Sequence, residues 1–149
     1  MMNTPDDEAG AGVDPRPGTA PLSSTVFGAL GIELVEATPE RVEVRMEVGP
    51  LVHQPYGFLH GGVSVLLAET CASIGADLAS GENKRVFGME INANHLRPVR
   101  DGFVRAVGTP LHLGRTSQVW EARVETEKDG KLVCVSRCTL AVVDAERAR

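Results

Sequence analysis

Apolar and charged residues alternate strictly over residues 41–48. The apolar positions are Val42, Val44, Met46 and Val48. A period of two residues is typical of an antiparallel strand that buries one face. We therefore predict a strand here, with these four side chains pointing into a core.

Residues 62–80 show a different pattern, because they are apolar on almost every side of the helix that they would form. The apolar residues are Val63, Val65, Leu66, Leu67, Ala68, Cys71, Ala72, Ile74, Ala76 and Leu78. We predict a helix that the rest of the chain encloses on most sides and that residues 81–83 end. We expect neither this helix, with its many small residues, nor any other window to span a membrane.

A short helix is predicted before these elements, over residues 25–30. Ser23 or Ser24 can cap its start, and Gly31 can end it. A first strand is predicted over residues 32–35.

Four strand patterns follow the long helix, over residues 87–97, 103–113, 117–127 and 131–143. In the first of them, Phe87, Met89, Ile91 and Ala93 share one face, opposite Glu90, Asn92 and Asn94. Trp120, Ala122 and Val124 share one face of the third strand. Pro110 indicates an edge or a bulge, and Asp129-Gly130 is a hairpin signal.

Antiparallel strands with a single enclosed helix imply an α+β fold in which the sheet curls round the helix. The chain has 149 residues, which is enough for one domain with its own core. We place that domain at residues 23–144. Residues 1–22, rich in Asp, Gly, Pro and Ala, are predicted to be a disordered tail, and residues 145–149 a polar tail.

Charge, cysteine content and the N-terminal sequence argue against several classes of protein. A net charge of −5 argues against non-specific nucleic-acid binding. Cys71, Cys134 and Cys138 form no CxxC pair and have apolar neighbours, which is typical of buried thiols in a reducing compartment. The N-terminus lacks the basic and apolar regions of a signal peptide, so we expect a cytoplasmic protein.

The start of the long helix offers hydrogen-bond donors. Gly61 and Gly62 follow His60 at the point where backbone N–H groups have no partner within the helix and carry the positive end of its dipole. Such donors can hold an oxyanion, and each contributes on the order of 3–4 kcal/mol to transition-state stabilisation. The alternative is a tight turn that needs glycine for its shape alone.

Glu69 is the only charged residue between Gly61 and Ala76. A carboxylate on a buried helix is costly unless it is paired or takes part in chemistry. It could activate water as a base, or attack as a nucleophile to give a mixed anhydride. The alternative is a structural ion pair, for instance with Arg97.

Helix geometry separates Gly61 from Glu69. The eight positions between them correspond to about 12 Å along the axis, and the backward lean of the Glu69 side chain recovers only part of that distance. One chain can therefore hardly supply both groups to the same carbonyl. We predict that Gly61 of one subunit faces Glu69 of a second subunit.

Histidines and arginines outside the long helix are candidates for binding a metal or a phosphate group. His53 and His60 lack a third ligand at recognisable spacing, so we expect no metal. Several arginines stand near strand ends and turns in the second half of the chain, where they suit phosphate groups: Arg97, Arg100, Arg105 and Arg115. The turn over residues 114–117 adds backbone amides and hydroxyls.

Three blocks of this sequence resemble the hotdog-fold acyl-CoA thioesterases. They are residues 54–62 continuing to Glu69, residues 88–97 and residues 110–120. The branch includes phenylacetic-acid-pathway thioesterases and 4-hydroxybenzoyl-CoA thioesterases with an HGG…E pattern. The last two blocks look most like 1,4-dihydroxy-2-naphthoyl-CoA hydrolases, and the resemblance covers roughly residues 27–143.

The resemblance implies a hotdog fold, a homodimer with a continuous sheet, and pairing of two dimers into a tetramer. It implies that Glu69 is catalytic, that Gln54 contacts the thioester, and that His60 orders the loop or polarises the carbonyl. The alternative for His60 is a histidine that caps the helix or packs against it. Ser73 would hold the water or Glu69. The residues that would line the CoA site are Gly88, His95, Arg97, Pro98, His112, Gly114, Arg115, Thr116 and Ser117.

We therefore expect an acyl-CoA thioesterase for a small aromatic acyl group, with 1,4-dihydroxy-2-naphthoyl-CoA of menaquinone synthesis as one candidate. Coenzyme A would be part of the substrate, and no cofactor is expected. The alternatives are a phenylacetyl- or hydroxyphenylacetyl-CoA thioesterase, a hotdog dehydratase with a His53–Glu69 pair, and a non-catalytic acyl-CoA-binding protein.

Overall fold

The computed structural model describes residue 16 and residues 18–148. Its elements are a 3-10 turn Leu22–Ser24, α1 (Val26–Ala29), β1 (Glu33–Ala37), β2 (Val42–Glu47), a 3-10 turn Pro50–Val52, α2 (Gly61–Ser80), β3 (Lys84–His95), β4 (Phe103–Leu113), β5 (Ser117–Thr126), β6 (Leu132–Asp144) and a 3-10 turn Ala145–Ala148. The order of predicted helices and strands is therefore confirmed.

The six strands form one antiparallel sheet in the order β1-β2-β4-β5-β6-β3. The sheet curls round α2, which packs against β2, β3, β4, β5 and β6. Register shifts interrupt four of the five strand pairs. One of them lies between Gly88 and Glu90 in β3, and another lies between Pro110 and His112 in β4, where the sequence indicated an edge or a bulge.

The core confirms the strand periodicity. The four apolar side chains predicted to point inward from β2 are all buried: Val42, Val44, Met46 and Val48. In β5, Trp120, Ala122 and Val124 are buried as well. Trp120 donates through Nε1 to Oε1 of Gln118 at 2.8 Å, so its polar atom is satisfied within the core.

Helix α1 has a different cap from the predicted one. The side chain of Thr25 accepts a hydrogen bond from the Phe27 N–H at 3.3 Å, while Ser23 and Ser24 lie in the preceding 3-10 turn. Thr25 takes the role because the backbone becomes helical only after it. Gly31 ends the helix with a φ of 64°, as predicted.

Strand β3 departs from its predicted pattern. Phe87 and Met89 are 53% and 60% exposed, although Ile91 and Ala93 of the same predicted face pack against the core. The bulge next to Gly88 breaks the alternation of faces, and β3 lies at the edge of the sheet, where β6 is the one strand that pairs with it.

Helix α2 is enclosed on one side only. The residues that face the sheet are buried: Ser64, Leu67, Ala68, Cys71, Ala72, Gly75 and Ala76. The opposite face, including Val65, Leu66 and Glu69, lines an open groove, so the expectation of enclosure on most sides was wrong for the single chain.

Helix α2, with 20 residues, is long and apolar enough to cross a membrane when only length and composition are considered. On those two criteria the expectation that no window could span a membrane was wrong. The core helix of a soluble protein can meet the same criteria. In this fold α2 packs against the sheet, which explains its apolar character.

Most of the predicted N-terminal tail, residues 1–15 and 17, lies outside the described residues, as does residue 149. The described end of that segment contacts the domain, because Nε of Arg16 is 2.6 Å from Oδ2 of Asp77 in α2. Residues 145–148 form a 3-10 turn after β6.

Candidate active site

A histidine caps the N-terminus of α2. Nδ1 of His60 accepts a hydrogen bond from the Gly62 N–H at 2.9 Å, and the His60 carbonyl accepts one from Val63 at 2.9 Å. The Gly62 N–H is therefore not free, contrary to the sequence-based expectation, because the cap occupies it. Among the described residues, nothing accepts a hydrogen bond from the Gly61 N–H.

Gly61 is therefore the donor available to a ligand at this helix end. Its lack of a side chain also leaves room for a ring from β3, since a β-carbon built at Gly61 would lie 3.0 Å from Nε2 of His95. The imidazole of His95 thus stands beside the free N–H, at the positive end of the helix dipole.

Glu69 is half-buried in the middle of α2 and forms no salt bridge among the described residues. Arg97, the suggested structural partner, lines a different cleft. The Glu69 carboxylate instead contacts the backbone of β3, because a β-carbon built at Gly88 would collide with Oε1 of Glu69. Gly88, predicted to contact CoA, is therefore a neighbour of the candidate catalytic carboxylate in the same chain.

The Glu69 carboxylate also influences a buried thiol. Burial first, and then the negative charges of Glu69 and Glu90, raise the pKa of Cys138 to about 11. Cys138 therefore stays a neutral thiol near pH 7 and is a poor nucleophile there.

Glu69 opens into a groove of about 490 Å³ on the exposed face of α2. Ser73, four residues and about one turn further along α2, lines the same groove. The remaining lining comes from α2 and the N-terminal segment: Leu22, Thr25, Val26, Phe27, Gly62, Val65, Leu66, Thr70 and Ile74.

A separate cleft of about 400 Å³ contains the other predicted site residues near the start of α2. It brings together Gln54, Gly61, His95, Arg97 and Pro98, with Phe58, Leu59, Ser64, Leu96 and Val133. In this cleft the Gln54 Oε1 accepts a hydrogen bond from the Tyr56 N–H, which orders the loop before the helix.

The last predicted group lies in the turn between β4 and β5. The Gly114 N–H donates to the Ser117 carbonyl at 2.9 Å, and a side chain at Gly114 would collide with His112. Arg115 and Thr116 line a third pocket of about 500 Å³, which they share with Lys84, Phe87, Val142, Val143, Asp144, Arg147 and Ala148.

The single chain therefore divides the predicted site among three places. Glu69 and Ser73 lie on one face of α2, and Gly88 of β3 lies against Glu69. Gln54 and Gly61 lie in a second cleft, and Arg115 and Thr116 line a third pocket. Leu22 and Asp77, which lie in or near the groove, were not predicted from the sequence. Asp77 could have been found, because it follows Glu69 by eight positions and so falls on the same face of the helix.

Groups of three or more His, Cys, Asp or Glu side chains arranged to hold a metal are absent from the part of the chain that the structure describes.

Comparison with known proteins finds a matching family and related sequences. The sequence profile of the Thioesterase superfamily matches residues 56–133. The chain is 50% identical over 113 residues to a 1,4-dihydroxy-2-naphthoyl-CoA hydrolase from Listeria monocytogenes, which covers 76% of this chain and 91% of the relative.

Solved structures agree with the fold. A thioesterase from Haemophilus influenzae matches with a TM-score of 0.79 and 49% identity, over 83% of this chain and 85% of the other. These matches confirm the α+β hotdog fold.

A Staphylococcus aureus protein has been solved as two mutants, one with a glutamate changed to alanine and one with a glutamine changed to alanine. The glutamate mutant matches with a TM-score of 0.77 and 30% identity, over 80% of this chain and 99% of the other. The glutamine mutant, described as a thioesterase, matches with a TM-score of 0.74 and 32% identity, over 78% of this chain and 97% of the other. The two mutated positions have the same separation in sequence as Gln54 and Glu69.

Proposed function

The chain belongs to the Thioesterase superfamily and is an acyl-CoA thioesterase, and we propose that Glu69 is the general base or the nucleophile of the hydrolysis. We also propose that the acyl group is aromatic. The observation that carries this proposal is the position of Glu69. It is a half-buried carboxylate without a salt bridge among the described residues, in contact with Gly88 and open to a groove. A carboxylate in such a place is available for proton transfer or attack.

In the first form of the mechanism, Glu69 acts as a general base. It takes a proton from water while the water oxygen attacks the thioester carbon, and the carbonyl oxygen becomes an oxyanion. The free N–H of Gly61 would stabilise that oxyanion, with Gln54 nearby as a second donor. The C–S bond then breaks, CoA leaves as the thiolate and takes up a proton, and the free acid is released.

In the second form, the Glu69 carboxylate attacks the thioester carbon and displaces the CoA thiolate. The resulting mixed anhydride is then hydrolysed by water, which restores the carboxylate. In a single turnover in water labelled with heavy oxygen, general-base attack puts the label into the released acid only, whereas hydrolysis of the anhydride by attack at the Glu69 carbon puts it into Glu69. Label in Glu69 would establish the nucleophilic form.

We propose that each complete site combines two chains. The cleft with Gly61 and the groove with Glu69 are separate in one chain, and the helix geometry puts about 12 Å between these residues along α2. A second copy with its α2 antiparallel to the first would set Gly61 of one copy opposite Glu69 of the other. A homodimer would then be the active unit, with pairing of two dimers as a further expectation.

The first candidate substrate is 1,4-dihydroxy-2-naphthoyl-CoA, which the name of the Listeria relative supports. Phenylacetyl-CoA and hydroxyphenylacetyl-CoA are the competing substrates. The proposal needs no cofactor, since water and the CoA ester are the only reactants. A cytoplasmic location is also proposed, and it is supported by three cysteines that are buried as free thiols.

The test is release of free CoA thiol from these esters and benzoyl-CoA by the wild-type protein, Glu69→Gln and Glu40→Gln. Glu40 is exposed in the turn between β1 and β2, so its variant is the matched control. We expect Glu69→Gln to lose at least about 100-fold in kcat and the control to keep its activity. Undiminished thiol release by Glu69→Gln would refute the catalytic assignment, and binding of esters without turnover by the wild type would support a non-catalytic acyl-CoA-binding protein.

A further inference from the structure

Arg16 anchors the N-terminal segment to the end of α2. Its Nε lies 2.6 Å from Oδ2 of Asp77, and its Nη1 donates to the carbonyls of Gly81 at 2.6 Å and Lys84 at 3.2 Å. Nη2 donates to the Asp77 carbonyl. A guanidinium suits this place, because it neutralises a carboxylate and satisfies carbonyls at the negative end of the helix dipole.

The anchor lies on the same helix face as the candidate catalytic carboxylate. Glu69, Ser73 and Asp77 follow one another at intervals of four residues. Asp77 is therefore about 12 Å beyond Glu69 along the axis of α2. An acyl group whose carbonyl is held near Glu69 would extend along this face toward the anchor.

A cavity of about 320 Å³ occupies the space between the anchored segment, α2 and β3. It shares Leu22, Ser73 and Ile74 with the Glu69 groove, so the two spaces adjoin. Its other lining residues are Arg16, Thr19, Ala20, Asp77, Arg85, Val86 and Phe87.

The charged side chains Arg16, Asp77 and Arg85 that line this cavity are all paired with other groups of the same chain. Arg16 pairs with Asp77, and Arg85 donates to the carbonyls of Glu82 and Lys84. The surface left for a ligand is mainly apolar, as in most small-molecule sites of about 300–1,000 Å³.

We propose that Arg16 and residues 18–22, here named the N-terminal strap, form the wall of the pocket that receives the far end of a bulky apolar acyl group. Arg16 is a positioning residue, since it fixes the strap and does not touch the reacting atoms. This inference rests on the proposed function. It makes the strap a determinant of selectivity for large over small acyl groups.

The test compares acetyl-CoA with 1,4-dihydroxy-2-naphthoyl-CoA in Arg16→Ala. An acetyl group is too short to reach the strap, whereas the two fused rings extend toward it. We expect KM for the naphthoyl ester to rise about three- to tenfold with kcat nearly unchanged, and the constants for acetyl-CoA to stay the same. Arg16→Lys should recover part of the loss, because its ammonium can pair with Asp77 but cannot hold the surrounding carbonyls together.

Arg41→Ala is the matched control. Arg41 also pairs with carboxylates, Glu36 and Glu43, but it lies between β1 and β2, away from both cavities. Leu22→Ala is a second variant, because it removes wall surface without breaking the anchor. Equal changes for both esters in Arg16→Ala, or no change for either, would overturn the proposal.

A failure of the proposed function would be recognised separately. If the wild type hydrolysed none of the esters, the strap would be judged from the binding of a naphthoyl thioether of CoA and of free CoA. Weaker binding of the thioether alone in Arg16→Ala would support the acyl wall, and equal binding by wild type and variant would refute it.

Discussion

The Glu69 carboxylate lies directly against the backbone of Gly88. A β-carbon built at Gly88 would lie 3.5 Å from Cδ of Glu69 and would collide with Oε1. Strand β3 can approach α2 this closely only because residue 88 has no side chain. The contact fixes one wall of the space in which the carboxylate can move.

Gly88→Ala is expected to lower kcat by about 10- to 100-fold, because it displaces the carboxylate from its place against β3. The fold should be retained, since the colliding atom is the end of a flexible side chain. Steady-state kinetics measures the loss of kcat, and denaturant unfolding measures whether the fold is retained. Gly49→Ala is the control, because a β-carbon there meets nothing within 4 Å, and an unchanged kcat in Gly88→Ala would contradict the prediction.

Mixed dimers should recover activity that neither parent variant has. Gly61→Val places atoms where the ring of His95 now lies, and Glu69→Gln removes the carboxylate. If each site combines Gly61 of one copy with Glu69 of the other, a heterodimer contains one intact site. After unfolding and refolding together, random pairing should give about a quarter of the wild-type activity. Mixtures that stay inactive, while heterodimers are detected by mass, would contradict the two-copy site.

Gly75→Ala should destabilise the fold. A β-carbon at Gly75 would collide with the ring of Trp120 and lie 2.9 Å from its Cζ2, and that ring is fully buried. The ring has no free space to move into, so we expect a loss of about 1–3 kcal/mol in the free energy of unfolding. Urea unfolding measures it, with Gly49→Ala as the matched control. Equal stability of the two variants would show that the helix can shift away from the sheet.

Alkaline pH should weaken the fold through Cys71. Burial, the largest cause, raises the pKa of its thiol from 9.0 to about 12. Above pH 9 the unfolded chain loses this proton while the folded chain keeps it, so stability falls as pH rises from 9 toward about 12. The slope from this thiol approaches about 1.4 kcal/mol per pH unit.

Urea unfolding at pH 8, 9, 10 and 11 measures that slope. Cys71→Ala should be less stable at pH 8 because of the cavity, yet its stability should fall less steeply above pH 9. Parallel curves for the variant and the wild type would show that Cys71 does not cause the loss.

Local patterns predicted the elements that repeat regularly. The alternation in β2 and β5 identified their buried faces, because a strand that packs one face on a core carries its apolar residues at every second position. The glycine turn and Glu69 could be recognised as candidate catalytic groups because each is defined by residues within one short stretch of sequence. The distance between them along the chain follows from the helix that contains both.

The face pattern of β3 could not be predicted in the same way. Phe87 and Met89 belong to an apolar series in the sequence, but the bulge at Gly88 and the edge position leave them exposed. Neither feature is visible in local periodicity, since both depend on which strand lies alongside β3.

The sequence by itself determined the α+β class, the central helix, the carboxylate at Glu69 and the family, because these depend on periodicity and on motifs within short stretches. Only the tertiary structure decided that Gly88 faces Glu69, that Gly61 opens into a different cleft, and that Arg16 holds the N-terminal strap to Asp77. These contacts join residues distant in the chain. The curling of the sheet round α2 creates them, and no local pattern encodes which distant residues that curling brings together.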